Sequence, residues 1–333
     1  CGGRFRQIAQ QHGAAVFLAG TRHEHAVALA LQDPEDLKLA AELARRADVL
    51  IENFRPGTME RFGLDFETVR KDNPGIVYCS ITGFGRGEGA ALPGYDPLVQ
   101  ALSGLMSVTG PPDGEASKVG VALVDVIAGL NASNGILAAL RVRDATGEGQ
   151  RVEIDLLSTA LSALANQASS YLNTGVAPSR LGNVHPSIEP FSTYAAADGP
   201  MMICAGNDRH FASLAQVLGV PELAGDERYS SNGSRVENRE ALRAEIEVQL
   251  AKRPVADWVE DLSFAGVPAG PVNDIEGGFA LAESLGLDVV DEIDGIRIPA
   301  SPIKLSEDPP ETRVAPPELD GQGEMLRAWL AGP

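Results

Sequence analysis

The spacing of apolar residues over positions 33–82 predicts alternating helices and strands. Four residues share one face of a helix: Leu37, Ala40, Ala41 and Ala44. Asp33 before them is a suitable N-cap, and Pro34 suits the first helical turn. The apolar runs "DVLIEN" and "IVYCSITG" predict buried strands, and "FETVRKD" between them predicts a helix that Asp65 caps. This rhythm is typical of an α/β fold whose parallel sheet is covered by helices.

The middle of the chain is mostly helical in pattern. A helical stretch from Pro97 to Arg141 is broken by "TGPPDGEASKVG". The run "RVEIDLL" then predicts a strand, and "STALSALANQASSYL" predicts one helix. The next segment, "NTGVAPSRLGNVHPSIEP", is rich in Gly, Pro, Ser and Asn, so we expect a loop and a domain boundary there.

Residues 191–285 read as a second unit. "FSTYAAADGPMMICAG" predicts a hairpin that turns at Asp198-Gly199-Pro200. Three amphipathic helices are expected near 208–218, 236–251 and 255–264. We expect "GVPAGPVND" to be a turn-rich exit, and the Pro-rich C-terminal segment to be extended before a short last helix.

Charge and cysteine content narrow the classes of function. The chain carries 27 Lys and Arg against 46 Asp and Glu, a net charge of −19. That balance argues against nucleic acid and against anionic membrane surfaces as partners, since both are bound through basic residues. We see no apolar run that would span a bilayer once Asp125 and the glycines are counted. Three scattered cysteines without a CxxC pattern, and no signal-peptide pattern, favour a reduced, cytoplasmic protein.

Two weaker patterns point to cofactors and are not favoured. "GFGRGEG" follows a strand like a dinucleotide loop, but "AALPGYD" comes next instead of the required helix. His23 and His25 could bind a metal from one side of a strand, yet no third ligand can be assigned, so we expect no metal. His185, in "GNVHP", suits a contact to substrate or an ordinary turn role.

Asp125 is the single charged residue of "VGVALVDVIAGLNASNGILAAL". A buried carboxylate without a partner is costly, so we expect Asp125 to be hydrogen-bonded, protonated or beside a cavity. It could cap a helix by accepting N–H bonds from "VIAGL". It could equally be a nucleophile that a helix N-terminus keeps anionic. Spacing alone leaves both interpretations open.

Six segments occur in an order that resembles the class III CoA-transferase family, the formyl-CoA transferase and carnitine-CoA transferase group. They are the run from "ADVLIENFRPG" to "SITGFG", "PGYDPLVQALSGLMSVTG", the Asp125 segment through "GQRVEIDLL", "HPSIEPFSTYAAADG", "GVPAGPVND" and "SPIKLS". The resemblance extends from about residue 20 to the C-terminus. It is specific for the family but not for a substrate.

The resemblance implies a two-domain α/β protein. A Rossmann-like large domain would combine residues 1–185 and 288–333, and residues 186–287 would form a smaller inserted α+β domain. Two subunits would interlock like links of a chain, so we expect a homodimer, with a heteromer as an alternative.

The resemblance also implies an activity. Asp125 lies where the family has its nucleophile, which would attack an acyl-CoA thioester and exchange CoA with a carboxylic acid through aspartyl-acyl anhydride and aspartyl-CoA thioester intermediates. One alternative is an α-methylacyl-CoA racemase, although that group has His-Asp where this chain has Tyr95-Asp96. Another is a non-catalytic or heteromeric subunit of a CoA-transferase assembly.

Further site residues follow from the same resemblance. Positions where the family contacts coenzyme A hold Asn53, Phe54, Arg61, Phe62 and Tyr95. Gly182 and Asn183 lie where the family covers its acyl intermediates, and with His185 and Asp208 they complete the substrate-side candidates.

The chain also departs from the family. A strand, a turn and a second strand normally precede the region that matches residue 20, where this chain has "CGGRFRQIAQQHGAAVF". Glu24 replaces a family Lys, and Ala30 and Gln32 replace Asp and Lys. Two basic residues for the CoA phosphates are therefore missing, and Arg22 or Arg55 could supply the charge. We expect an active acyl-CoA enzyme because the nucleophile and its motifs remain.

Overall fold

The computed structural model describes residues 24–307 and 314–331 of the chain. Arg22 and His23 lie outside the described residues. The elements before residue 190 are, in chain order, α1 (Pro34–Arg46), β1 (Val49–Glu52), α2 (Thr58–Phe62), α3 (Phe66–Asp72), β2 (Val77–Thr82), α4 (Asp96–Leu102), α5 (Leu123–Thr146), β3 (Arg151–Asp155), α6 (Leu156–Ala163) and α7 (Ala165–Thr174). Short 3₁₀ turns lie at Glu88–Ala91 and Leu105–Val108.

The remaining elements begin with an antiparallel strand pair. They are, in chain order, β4 (Phe191–Ala195), β5 (Pro200–Cys204), α8 (Asp208–Val217), α9 (Asn232–Glu237), α10 (Arg239–Leu250), α11 (Val255–Phe264), β6 (Ala269–Pro271), α12 (Ile275–Ser284), β7 (Val290–Ile293), β8 (Ile296–Pro299) and α13 (Gly323–Ala331). One 3₁₀ turn spans Pro221–Gly225.

The described chain divides into two compact units. The first combines the described residues of Cys1–Ile81, Ala132–Glu153 and Asp274–Pro333, and the second combines Thr82–Asn131 with Ile154–Asn273. The division falls inside β2, inside α5 and inside β3. The domain boundaries expected from the sequence, at 185/186 and 287/288, stay a prediction.

A parallel strand pair forms the centre of the first unit. β1 pairs with β2 in parallel, from Val49 opposite Val77 to Glu52 opposite Ser80, and the sheet order is β1-β2-β3. The mixed α/β class and the parallel sheet predicted from the sequence are therefore confirmed. The backbone of Gly149 lies against the backbone of Ile76, just before β2. A Cβ at position 149 would lie 1.9 Å from the Ile76 carbonyl oxygen. Only glycine fits at that position.

Helix α1 begins and ends where its sequence predicts. The Asp33 carboxylate accepts hydrogen bonds from the N–H groups of Glu35 and Asp36, and Pro34 is the first helical residue. At the other end the Asn73 side-chain amide donates to the carbonyls of Ala44 and Ala47, at 3.1 and 2.8 Å. These bonds satisfy carbonyls that a helix end leaves without intrahelical partners. They also tie α1 to the chain that leads into β2.

The second unit contains the larger apolar core. Strands β4, β5 and β6 form an antiparallel sheet, and the three amphipathic helices predicted from the sequence correspond to α8, α10 and α11. Leu242, Ile246 and Leu250 recur at a spacing of four on α10 and are fully buried. Trp258 of α11 packs in the same cluster, and its indole N–H donates to the Leu250 carbonyl at 3.0 Å. Helical spacing of apolar residues thus forms this core.

Two sequence expectations are corrected by the structure, and one hairpin was not predicted. "GVPAGPVND" contains β6, which pairs with β5, instead of turns alone. Residues 290–299 form the hairpin β7–β8, whose Asp294-Gly295 turn has positive φ at both positions, as a two-residue hairpin turn requires. The single helix expected over 158–172 is two helices, α6 and α7, because Ala165 takes a φ of 45° between them.

The expectation about bilayer-spanning runs also needs correction. By length and composition alone, α5 is long and apolar enough to cross a membrane, with 24 residues and a mean hydropathy of 1.5 over its most apolar window. A single helix of this kind is weak evidence, since core helices of soluble proteins pass the same test. Only 22% of that window is buried within the chain, so α5 leaves most of its apolar surface uncovered.

The buried and exposed positions of α10 provide a direct test of the second core. Ile246→Ala should lower the free energy of unfolding by about 2–5 kcal/mol, because it removes buried methylene groups and leaves a cavity. Val248→Ala is the matched control, since Val248 is 62% exposed on the same helix; it should change stability by less than about 0.5 kcal/mol. Urea unfolding of both variants measures the difference. Equal effects would contradict the core described here.

Candidate functional site

The start of α5 places Asp125 at the surface of the second unit. The Val126 N–H donates to the Ala122 carbonyl, so Ala122 occupies the N-cap position and Asp125 is the third helical residue. Alanine has no side-chain acceptor and cannot cap the helix. Asp125 itself is exposed, and among the described residues no hydrogen bond reaches its carboxylate. The structure therefore does not use the Asp125 side chain as a helix cap.

The cap comes instead from Asp96, the first residue of α4. One oxygen of the Asp96 carboxylate, Oδ2, accepts from the backbone N–H groups of Val124 at 2.7 Å and of Asp125 at 3.2 Å. The other oxygen, Oδ1, accepts from the Gln100 side-chain amide at 2.5 Å. Asp96 is only 4% exposed. A buried carboxylate from one helix thus satisfies two N–H groups that Ala122 leaves without partners.

The electrostatics of this helix end depend on two neighbouring carboxylates. Neighbouring atoms partly desolvate the Asp125 carboxylate although the residue is exposed, and this burial, followed by the negative charge of Asp96, raises the pKa of Asp125. Both causes disfavour the charged form. A carboxylate held in this way is a stronger base than one in water, and it keeps two oxygens without hydrogen-bond donors among the described residues.

Apolar packing fixes the helices that carry these groups. Val99 of α4, Val124 and Ala128 of α5, and Leu156 and Ala160 of α6 form one buried cluster. Val99 and Val124 each lie beside a polar residue of the site, Gln100 and Asp125. The cluster therefore holds α4 and the first turn of α5 together, and it positions the polar contacts above.

Gly182, Asn183 and His185 lie in one loop of the second unit. The Gly182 N–H donates to the Gly110 carbonyl at 3.1 Å, and Gly182 has a φ of +61°, which favours glycine. The Asn183 amide donates to Thr193 Oγ1 at 3.0 Å, and the His185 ring lies against Phe191. These contacts connect the loop to β4 and to the turn after α4.

Arg180 also connects the loop that contains Gly182 to the segment that begins at Gly110. Its guanidinium donates to the carbonyls of Pro111 and Gly114, at 3.2 and 3.0 Å. Asp208 lies elsewhere, at the start of α8, where it accepts from the buried guanidinium of Arg235 at 2.7 Å. The structure thus brings together Gly182, Asn183 and His185, and it engages Asp208 in a separate ion pair.

The remaining predicted residues belong to two different units. In the first unit, the segment after β1 exposes Asn53, Phe54 and Arg61, with Phe62 half-buried. The Arg61 guanidinium lies 4.8 Å from the centre of the Phe62 ring, and Arg55 is exposed nearby in sequence. This segment leaves the carboxyl end of a parallel strand, the edge where open α/β sheets bind ligands. Tyr95, in the second unit, is 68% exposed.

Two buried polar residues of the site, Asp96 and Gln100, were missed as functional candidates. Their spacing of four on a helix is visible in "YDPLVQ", and Asp-Pro is a common helix start. The signal that could have identified them is the alanine at the N-cap of α5. Because alanine cannot cap a helix, α5 needs a capping group from another part of the chain.

Metal ligands are absent from the described part of the chain. Over residues 24–307 and 314–331, no three His, Cys, Asp or Glu side chains come close enough together to hold a metal ion. His25 is exposed there.

The chain is similar to known proteins over most of its length. Residues 2–323 match the model of CoA-transferase family III. The acetyl-CoA:oxalate CoA-transferase of Acetobacter aceti is 40% identical over 315 residues, which cover 94% of this chain and 81% of that protein. The succinate–glutarate CoA-transferase of Agrobacterium fabrum is 40% identical over 321 residues, which cover 94% and 80%.

A solved structure supports the same grouping. A CAIB/BAIF family protein from Brucella suis has a TM-score of 0.87 and 38% sequence identity, over 95% of this chain and 84% of that one. Fold, sequence and family model agree. The chain therefore belongs to CoA-transferase family III and is an enzyme of that class.

Proposed function

We propose that this enzyme transfers CoA between an acyl-CoA thioester and a carboxylic acid, with Asp125 as the nucleophile. One observation carries the proposal. Asp125 is exposed at the start of α5, and its carboxylate is free of hydrogen bonds among the described residues because Asp96 provides the cap. A nucleophile needs such freedom and access, whereas a capping residue needs neither.

The first half of the reaction removes CoA from the donor. An oxygen of the Asp125 carboxylate attacks the thioester carbonyl, the carbon–sulfur bond breaks, and CoA thiolate leaves an aspartyl-acyl anhydride. The parent thiol titrates near free cysteine, at about 8.5, so the thiolate is an acceptable leaving group. The thiolate then attacks the Asp125 carbonyl. The donor acid leaves as a carboxylate, and Asp125 becomes an aspartyl-CoA thioester.

The second half passes CoA to the acceptor. The acceptor carboxylate attacks the aspartyl thioester and expels CoA thiolate, which forms a second mixed anhydride. The thiolate attacks the acceptor acyl carbon, so the new acyl-CoA forms and the Asp125 carboxylate is regenerated. Anhydrides react with water, so the site must exclude water during turnover. We propose that the loop of Gly182, Asn183 and His185 serves this purpose. The expected role of Asp208 stays a prediction.

The coenzyme A contacts are a proposal that rests on the family resemblance and on exposure, which is partial for Phe62. We propose that Asn53, Phe54, Arg61, Phe62 and Tyr95 contact CoA. A guanidinium such as that of Arg61 pairs well with phosphate or stacks on an adenine ring. Arg55, which is also exposed, can supply a charge that the family places at the positions of Glu24 and Gln32.

The substrate class is narrowed by the named relatives. Oxalate, succinate and glutarate all carry two carboxylates, and they appear in the names of the two relatives given above. We propose that one substrate of this enzyme is likewise a short dicarboxylic acid. One carboxylate would react with Asp125, and the other would set specificity through polar contacts.

The exposed apolar surface of α5 supports a dimer. Val126, Leu130 and Leu137 are between 56% and 64% exposed, which is unusual for one face of a soluble chain. A second copy that covers this helix would remove the apolar surface from water. We therefore propose a homodimer. We also propose a cytoplasmic location, since Cys79 and Cys204 are unpaired thiols.

The role of Asp125 is tested by trapping. Acetyl-CoA with hydroxylamine should convert Asp125 of the wild-type enzyme into a hydroxamate that peptide mass spectrometry detects. Asp125→Asn should lose the adduct and about 10³-fold or more of the transfer rate with oxalate or succinate. Asp144→Asn on the same exposed helix is the control and should react like the wild type. No adduct at Asp125 with any acyl-CoA would contradict the proposal, and deuterium wash-in at the α-carbon would indicate a racemase.

The pH dependence of transfer reports on the Asp96 charge. Activity requires ionised Asp125, so the rate should fall as pH decreases through its raised pKa. Asp96→Asn removes the neighbouring negative charge, so the pKa of Asp125 should fall and the acid limb of kcat/KM should move to lower pH. An acid limb that stays in place, or moves to higher pH, would refute this coupling.

The oligomeric state is measured by sedimentation equilibrium. The wild-type protein should have about twice the 35.0 kDa mass of one chain. Leu130→Glu with Leu137→Glu should shift the equilibrium toward the single chain, because charge on this face opposes its burial. A wild-type protein that sediments as a single chain at micromolar concentration would rule out the proposed dimer.

A further inference from the structure

Gln100 is a fully buried amide that connects two parts of the active-site backbone. Its Nε2 donates to Asp96 Oδ1 at 2.5 Å, and its Oε1 accepts from the Val119 N–H at 2.8 Å. The side chain is 0% exposed. Together with the two N–H groups that Asp96 caps, these bonds fix the backbone at both ends of the segment 119–125 without touching the Asp125 carboxylate.

We propose that Gln100 is a positioning residue for CoA transfer: its amide sets both the orientation of the Asp96 carboxylate and the path of the backbone into α5, and thereby the placement of Asp125. This inference rests on the proposed role of Asp125 as nucleophile. It adds a residue that never contacts the substrate but on which the geometry of the nucleophile depends.

The chemistry of the two bonds explains why an amide is required. Asp96 needs a donor at Oδ1, since its Oδ2 is already occupied by the α5 cap. Val119 needs an acceptor for its N–H. Glutamine supplies donors and an acceptor from a single planar group, and the Gln100 amide also donates to the Val121 carbonyl at 3.5 Å, whereas an ionised carboxylate supplies acceptors only. A hydrocarbon side chain of the same length would leave both partners unsatisfied.

Orientation of Asp96 has a consequence for Asp125. With Oδ1 engaged by Gln100, the plane of the Asp96 carboxylate is fixed so that Oδ2 meets the N–H groups of Val124 and Asp125. Without Gln100, the carboxylate can rotate about its side-chain bonds and the cap weakens. A displacement of even about 1 Å in a reacting group lowers a reaction rate substantially.

The substitution Gln100→Glu should make the activity depend on whether the new carboxyl group is protonated. A protonated glutamic acid reproduces the two bonds to Asp96 and Val119, because its O–H can donate to Asp96 and its carbonyl can accept from Val119. An ionised glutamate loses the donor and faces the Asp96 carboxylate. The charged groups around this position are Asp96 on the same helix, Asp125 on α5 and Lys118, whose Nζ donates to the Val119 carbonyl at 3.3 Å. Above the acid limb that Asp125 sets, the variant should therefore work while the new carboxyl is protonated and fail as rising pH ionises it.

The experiment measures kcat against pH with acetyl-CoA and succinate. Gln100→Glu should show a new alkaline limb, with a decline of about tenfold or more that reverses when the pH is lowered again, and an unchanged KM for acetyl-CoA. Gln216→Glu, at an exposed position of α8, is the matched control and should keep the wild-type profile. A Gln100→Glu profile with the wild-type shape would overturn the inference.

Two further measurements separate the possible failures. Hydroxamate formation at Asp125 is measured first in the wild type; without it the proposed function fails, and with it only the role of Gln100 is in question. If Gln100→Glu does not fold, amide hydrogen exchange of the wild-type protein decides. The N–H groups of Val119, Val124 and Asp125 should exchange slowly and at similar rates. Fast exchange at Val119 beside slow exchange at Val124 would refute the connection.

Discussion

The hydrogen bonds from the first turn of α5 to the Asp96 carboxylate are the constraint on which the site depends. A helix start needs acceptors for its free N–H groups, and Ala122 at the N-cap provides none. Because α4 supplies the acceptor, the carboxylate of Asp125 is left unengaged at the surface. If Asp125 capped its own helix, its oxygens would be occupied by backbone donors, and the residue would be a poor nucleophile. Capping from a different helix therefore allows an acidic residue to remain reactive at a helix start.

The same arrangement explains the electrostatics. Partial desolvation, followed by repulsion from the neighbouring Asp96 carboxylate, raises the pKa of Asp125. Asp96 can tolerate burial because its oxygens accept from Gln100, Val124 and Asp125. The hydrogen bonds of Asp96 thus offset the cost of burying its charge, while the carboxylate of Asp125 stays basic. The apolar cluster of Val99, Val124 and Leu156 packs α4 against α5 and supports these hydrogen bonds.

Much of the fold could be predicted from local sequence signals. Asp33 and Asp65 cap the helices that they were expected to cap, and the runs around Val49 and Val77 form the parallel strands. The β7–β8 hairpin was missed although its Asp294-Gly295 turn is a typical signal, because the flanking strands are only four residues long. The break at Ala165 involves no Gly or Pro, so no local sequence signal predicts it.

The site was harder to predict because its key contacts join distant residues. Asp125 could be identified as unusual from its apolar surroundings, but the local sequence left both a cap and a nucleophile open. The contact that separates the two, from Asp96 to the α5 backbone, spans 28 residues and depends on how α4 and α5 pack. Local periodicity contains no information on that packing. The residues around Asn53 and Arg61 were proposed from family resemblance, and their exposure is compatible with ligand binding.

Oxygen exchange tests the central claim most directly. In the proposed reaction the bridging oxygen of the second anhydride comes from the acceptor acid and stays on Asp125 when the thiolate attacks the acyl carbon. Turnover of acetyl-CoA with ¹⁸O-labelled succinate should therefore place ¹⁸O in the Asp125 carboxylate, which peptide mass spectrometry detects as a mass increase at that residue alone. Formation of succinyl-CoA without any ¹⁸O at Asp125 would contradict the account.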